Sequence, residues 1–186
     1  MTATAATETK LITGEELLAM GDIGPCELID GEIVRMSPTG GRHAVVELRF
    51  GRRLASFVED RGIGWVATGE VGIYTRRNPD RVRGADIACW SKEQLPDGLP
   101  EGFLEVAPFL IVEIMSPSDR WLDVREKLQE YFAIGVEQLW IVERENRTVL
   151  IYHSPTEMRQ LGGEDILVGD GLLEGFSLPL ASMFAV

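Results

Sequence analysis

Three carboxylates stand where their neighbours call for burial. Asp86 interrupts VRGADIACW and Glu113 interrupts FLIVEIM, two apolar runs that read as strands. The third, Glu47, belongs to the helical pattern HAVVELRFGRRLASFVED. Glu47, Gly51, Leu54 and Val58 follow one another at intervals of four, three and four, so they share one face of that helix. It is the face that carries apolar residues toward a sheet, where a lone carboxylate is costly. His43 precedes Glu47 by one turn. Acids of one sign are tolerated together inside a protein when a cation removes their repulsion and desolvation cost. Oxygen donors from two neighbouring strands and a helix are those preferred by Mg²⁺ or Mn²⁺. Taken singly, each acid also has a structural reading; Glu47 could reach a nearby arginine or lie at an open end of the sheet.

Other chemistries lack their residues. His43 and His153 lie far apart in sequence, and neither accompanies a nucleophilic Ser or Cys motif. None of the 20 glycines forms a P-loop or a dinucleotide fingerprint. The two cysteines, Cys26 and Cys89, have no zinc spacing, and Cys89 is expected to pack as a small hydrophobe. The net charge of −12 argues against broad, non-specific attraction to nucleic acid. That mean conceals a segment, residues 42–83, in which nine arginines face five acids. These are either a patch or scattered solvated side chains. No apolar run reaches the ~18 residues of a membrane span, and MTATAATETK lacks the apolar centre of a signal peptide, so the expected location is cytoplasmic with no membrane partner.

The elements that must position these acids follow from pattern. Residues 1–10 are Thr/Ala-rich and expected to be flexible, and residues 11–186 are expected to form a single domain. Thr13 and Glu16 have capping-box spacing ahead of a short helix. Asp30-Gly31 between two short apolar runs signals a β-hairpin. A helix from His43 to about Asp60 is followed by three strands: GIGWVATGEVGIYT, VRGADIACW and, after a polar loop, FLIVEIM. Ser118 or Asp119 is the expected N-cap of a helix running to about Ile134, and EQLWIVE and TVLIYH complete the strands. Residues 165–186 are apolar but irregular. This order gives an α/β fold, a mixed central β-sheet flanked by helices, with an N-terminal helix and β-hairpin.

VRGADIACW, FLIVEIMSPSD and REKLQEYFAIGVEQLWIVE, with ELIDGEIVRMSP upstream, together resemble the Uma-type restriction endonuclease family of the PD-(D/E)XK nuclease superfamily. The resemblance covers about residues 11–184. It implies a restriction-endonuclease-like core and a divalent-metal-dependent nuclease hydrolysing phosphodiester bonds, with DNA as substrate. On its pattern Asp86 and Glu113 hold Mg²⁺ (or Mn²⁺), helped by the backbone carbonyl of Ile114, and their carboxylates converge within about 5 Å.

The chain departs from the pattern in three places. Ala85 replaces the Pro before Asp86, and the literal pairs Pro79-Asp80 and Pro96-Asp97 lie in Arg-rich or loop contexts. Side chains two apart on a strand face the same way, which sets the pattern's Lys at Met115. The replacement is Lys127, at the edge of a helical face made by Trp121, Val124, Leu128 and Phe132. It would orient or deprotonate the attacking water or stabilise phosphate charge, while Glu47 would hold a water or a second ion. Without the family, Lys127 also reads as half of a surface ion pair with Asp123. Arg49, Arg52 and Arg53, off the face of Glu47, are the candidate nucleic-acid contacts, expected to rim the metal cleft of a homodimer that binds DNA weakly and salt-sensitively. The rival is a non-catalytic dimeric module that keeps the fold for nucleic-acid binding or protein interaction.

Overall fold

A strand buried over its whole length organises the molecule. The computed structural model describes residues 10–117 and 119–185, so the expected flexibility of residues 1–10 falls almost wholly outside them, as does Ser118. Helix α1 (Gly14–Ala19) opens on the expected capping box, with Thr13 accepting from the Glu16 N–H and Glu16 from the Thr13 N–H. Strands β1 (Cys26–Ile29) and β2 (Glu32–Arg35) form the hairpin. Its turn puts Asp30 and Gly31 at φ 55° and 80°, the left-handed pair that a two-residue hairpin requires. Helix α2 (Gly41–Asp60) then crosses to the long antiparallel pair β3 (Gly64–Arg76) and β4 (Arg81–Ser91).

Strand β5 (Leu110–Met115) runs antiparallel to β4 and parallel to β6 (Gln138–Glu143), with helix α3 (Trp121–Ala133) as the crossover. β7 (Thr148–Ser154) and β8 (Glu157–Leu161) extend the sheet by hairpins. The cores lie on its two faces. α2, through Phe50, Leu54 and Val58, packs with Cys89, Val112 and Trp140 on one; α3, through Leu128 and Tyr131, packs with Ile73, Ile111 and Leu139 on the other. Gly51 lets α2 approach closely, since a Cβ there would stand 2.8 Å from Thr68 Cγ2.

Two expectations need correction. Asp119 does not cap α3: the helix starts after Arg120, which makes no side-chain cap bond, and Asp119 Oδ2 accepts from the Ser116 N–H at 2.7 Å instead. The irregular tail is ordered, with β9 (Ile166–Val168) and β10 (Ser177–Pro179) pairing as a separate two-stranded sheet before α4 (Ala181–Phe184). Its Leu167, Phe176 and Leu178 complete the α2-side core. Strands of three residues are too short to show a period of two, which is why the pattern was silent there. No helix among the described residues is long and apolar enough to cross a membrane.

Candidate active site

The site forms where the sheet forks. β3 accompanies β4 along nearly its entire length on one side, but the other side is shared: β1 meets it at Val82, and β5 from Ile87 to Cys89. Between them the edge of β4 is left to side chains. The Gly84 N–H donates to Glu27 Oε1 at 3.1 Å, and the Gly84 carbonyl accepts from Lys127 Nζ at 3.1 Å. Asp86 Oδ2 accepts from the Ile114 N–H at 2.6 Å. An unmet buried backbone group costs about 1–3 kcal/mol, so the fork itself calls for polar side chains. Among the described residues, no buried side-chain N or O lacks a partner.

Asp86 is 4% exposed, and its neighbours come from three elements. The register Val112–Ile87 sets Glu113 beside it across the β4–β5 pair. From α2, His43 Nε2 lies 3.0 Å from Asp86 Oδ1, while His43 Nδ1 lies 3.2 Å from Ser116 Oγ. Glu47 reaches the same spot: donor atoms of His43, Glu47 and Asp86 all lie within 4.8 Å of one another. Glu47 also accepts from the Gly69 N–H at 2.9 Å. Gly69 and Glu70 form a β-bulge opposite Asp86, both at positive φ (90° and 62°). The bulge swings the Glu70 carboxylate over Gly84, where a Cβ would stand 2.5 Å from Glu70 Oε2.

On the α3 side, Glu113 accepts from the Tyr131 hydroxyl at 2.7 Å and lies 3.4 Å from Lys127 Nζ. Lys127 pairs also with Glu27 Oε1 at 3.0 Å, and Asp123 is not among its partners. The surface-pair reading of Lys127 therefore gives way to a half-buried amine lining the cleft. Met115 packs against the α3-side core, leaving Lys127 as the cation beside Glu113. Trp121, expected on the packed face of α3, is 44% exposed.

These groups share a cleft of about 590 Å³ whose lining includes Asp86, Glu113, Lys127, Glu70 and His43. Its electrostatics are lopsided. Desolvation, then the charge of Asp86, raises the carboxyls of Glu47 and Glu70, the latter to about 7. Glu113 is raised by burial and by Asp86, against the pull of Lys127 and Tyr131. Burial would lower the Lys127 amine, but Glu113 and Glu27 outweigh it and hold it protonated. His43 is raised as well, its burial outweighed by Asp86.

The structure thus brings Glu47, Asp86, Glu113 and Lys127 to one place. Ile114 touches Asp86 through its N–H, and strand geometry turns its carbonyl to the same edge. Arg49, Arg52 and Arg53 do not rim the cleft. Arg49 donates to the Ser182 and Met183 carbonyls at 3.3 and 3.1 Å, and Arg52 and Arg53 line a separate hollow with Phe57 and Phe176. Lying off the Glu47 face is what turns them away. The arginines that line the cleft are Arg42 and Arg144. Sequence reasoning also missed Glu27, Glu70 and Ser116. A glycine inside the strand pattern TGEVG was the available sign of the Gly69–Glu70 bulge. For Glu27, in a four-residue strand, there was none.

The Uma2 family, described as "Putative restriction endonuclease", matches residues 15–181. A solved structure, of a putative nuclease belonging to DUF820 from Anabaena variabilis ATCC 29413, superposes with a TM-score of 0.80 at 20% identity, covering 94% of this chain and 98% of that one. At that identity the likeness is one of fold. No curated protein matches the chain.

Proposed function

The chain belongs to the Uma2 restriction endonuclease family, and from that membership and the acid-rich cleft at the sheet fork we propose a divalent-cation-dependent nuclease acting on DNA. The observation that carries the reading is the meeting of Asp86, Glu113 and Lys127, from two strands and a helix, in one cleft. The donor set fits a cation: burial first, and then the charge of Asp86, raises the carboxyls of Glu47, Glu70 and Glu113, and a bound cation would relieve both costs.

Asp86 and Glu113, with the Ile114 carbonyl, would hold Mg²⁺ or Mn²⁺, and Glu47 would extend that oxygen set. Such an ion supplies charge neutralisation for the phosphate and acidifies water at neutral pH. The chain's own groups do the rest. Lys127, kept protonated by Glu113 and Glu27, is a poor base; it acts as a fixed positive charge and donor toward a phosphate oxygen. Glu70, with its carboxyl near neutrality, is placed to take a proton from an attacking water. Arg42 and Arg144 would hold flanking phosphates. Dimerisation would set two clefts against two strands, giving a particle near twice the 20.6 kDa chain mass.

The test is incubation of purified protein with supercoiled plasmid, linear duplex, RNA and a small phosphodiester, in Mg²⁺, Mn²⁺ or EDTA. Plasmid cleavage with either ion and none in EDTA is the expected result. Hydrolysis of RNA or the small diester alone would replace the DNA assignment. Binding without hydrolysis of any substrate would favour the non-catalytic module.

A further inference from the structure

The oxygen donors at Asp86 have a nitrogen among them. His43 Nε2 points at Asp86 Oδ1 from 3.0 Å, and donor atoms of His43, Glu47 and Asp86 lie within 4.8 Å of one another, close enough to share one ion. Its helix places it there: His43 and Glu47 are four apart on α2 and so share a face, and His43 is only 7% exposed. The other ring nitrogen is held too. Nδ1 lies 3.2 Å from the Ser116 hydroxyl, which can accept from Nδ1–H or donate to a bare Nδ1. With the proton on Nδ1, Nε2 presents its lone pair toward Glu47 and Asp86, the arrangement by which a second partner orients a metal-bound imidazole. Ser116 is itself anchored, its N–H donating to Asp119 Oδ2 at 2.7 Å.

We propose, resting on the cation-dependent reading above, that His43 is a nitrogen ligand of the cleft's cation and makes the site select a first-row transition ion over Mg²⁺. Imidazole suits transition ions, whereas Mg²⁺ demands an oxygen octahedron and dehydrates reluctantly. Asp86 is shared: Oδ1 faces His43 and Oδ2 is spoken for by the Ile114 N–H. His43 therefore adds one well-placed nitrogen to the oxygen set of Asp86, Glu113 and Glu47.

The experiment is titration calorimetry of the full chain with Mn²⁺ and with Mg²⁺, for wild type, His43→Gln, His43→Ala and Asp86→Asn, together with electron spin echo modulation of bound Mn²⁺. Wild type is expected to prefer Mn²⁺ and to show a directly coordinated ¹⁴N. His43→Gln, which keeps a neutral polar group of similar reach, should lose that nitrogen signal and weaken Mn²⁺ binding by roughly tenfold or more, with Mg²⁺ affinity nearly unchanged. His43→Ala guards against a compensating amide. Mn²⁺ bound with no nitrogen signal, or with equal affinity in wild type and both His43 variants while Asp86→Asn loses it, would overturn the inference and leave the cation site standing. Absence of binding by either ion to wild type would overturn both.

Discussion

Strand β4 carries two charged clusters within six residues, and they are built on opposite terms. At Arg81 and Arg83 the charges nearly cancel, three arginines against four carboxylates. Arg83 is bonded to Glu27 at 2.9 Å and to Glu130 at 2.7 Å; Arg81 reaches Asp30, Glu126 and Glu130, and Arg76 joins at Asp30. At Asp86 they do not. Glu47, Glu70, Asp86 and Glu113 face His43 and Lys127, and Lys127 is already claimed in part by Glu27. A balanced buried cluster meets its desolvation cost internally and holds elements together, whereas an unbalanced one is maintained for something that arrives from outside. The first ties α3 and the N-terminal hairpin to the sheet; the second opens into the cleft.

Breaking the balanced cluster should cost the most. Arg83→Ala takes from Glu27 and Glu130 one of the two cations each is paired with, and removal of one member of a buried pair costs about 3–5 kcal/mol. Urea unfolding should show a loss of that size. Asp86→Asn should do the reverse, abolishing cation binding and lowering turnover by at least about 100-fold while leaving stability unchanged or higher, since it relieves repulsion at three carboxyls. Lys127→Ala falls between the clusters. It should remove activity and also destabilise by about 1–3 kcal/mol, because Glu27 and Glu113 both lose a cation. A variant as stable as wild type would return Lys127 to the surface.

The contrast sharpens with pH. Glu70, raised from 4.5 to about 7, and Glu47, Glu113 and His43, raised likewise, all bind protons more tightly in the folded chain. For the carboxyls this stability is fully present below their unfolded values and lost as pH rises through the folded ones; His43 acts in the same direction at higher pH. In EDTA, Tm should fall between about pH 5 and 8, and added Mn²⁺ should restore it most at the upper end. A Tm that is flat or rising across that window, and indifferent to Mn²⁺, would contradict the imbalance. The smallest effect is expected at Arg52 and Arg53, which line a hollow away from the cleft. Their replacement by Ala should change stability by no more than about 0.5 kcal/mol. In an anisotropy salt series it should disturb DNA binding less than replacement of Arg42 and Arg144.

The two clusters were unequally legible in the sequence. Asp86 and Glu113 announced themselves because strand residues around them are apolar, and Glu47 because a 20-residue helix displays its period over several turns. Lys127 was placed by family pattern, since spacing alone also allowed an exposed pair with Asp123. Glu27 was hidden: its burial comes from the fork of a sheet whose strand order, β2-β1-β4-β5, is a tertiary fact no local period encodes. The arginines misled for a related reason. Clustering in sequence placed them together, but the turn of α2 sends Arg52 and Arg53 to a different surface from Glu47.

The most direct test of the account is conversion of supercoiled plasmid at saturating Mn²⁺ by wild type and Asp86→Asn, with matched melting curves. The account predicts nicked and linear product from wild type, none above background from the variant, and equal or higher Tm for the variant. Equal cleavage by both proteins would contradict it.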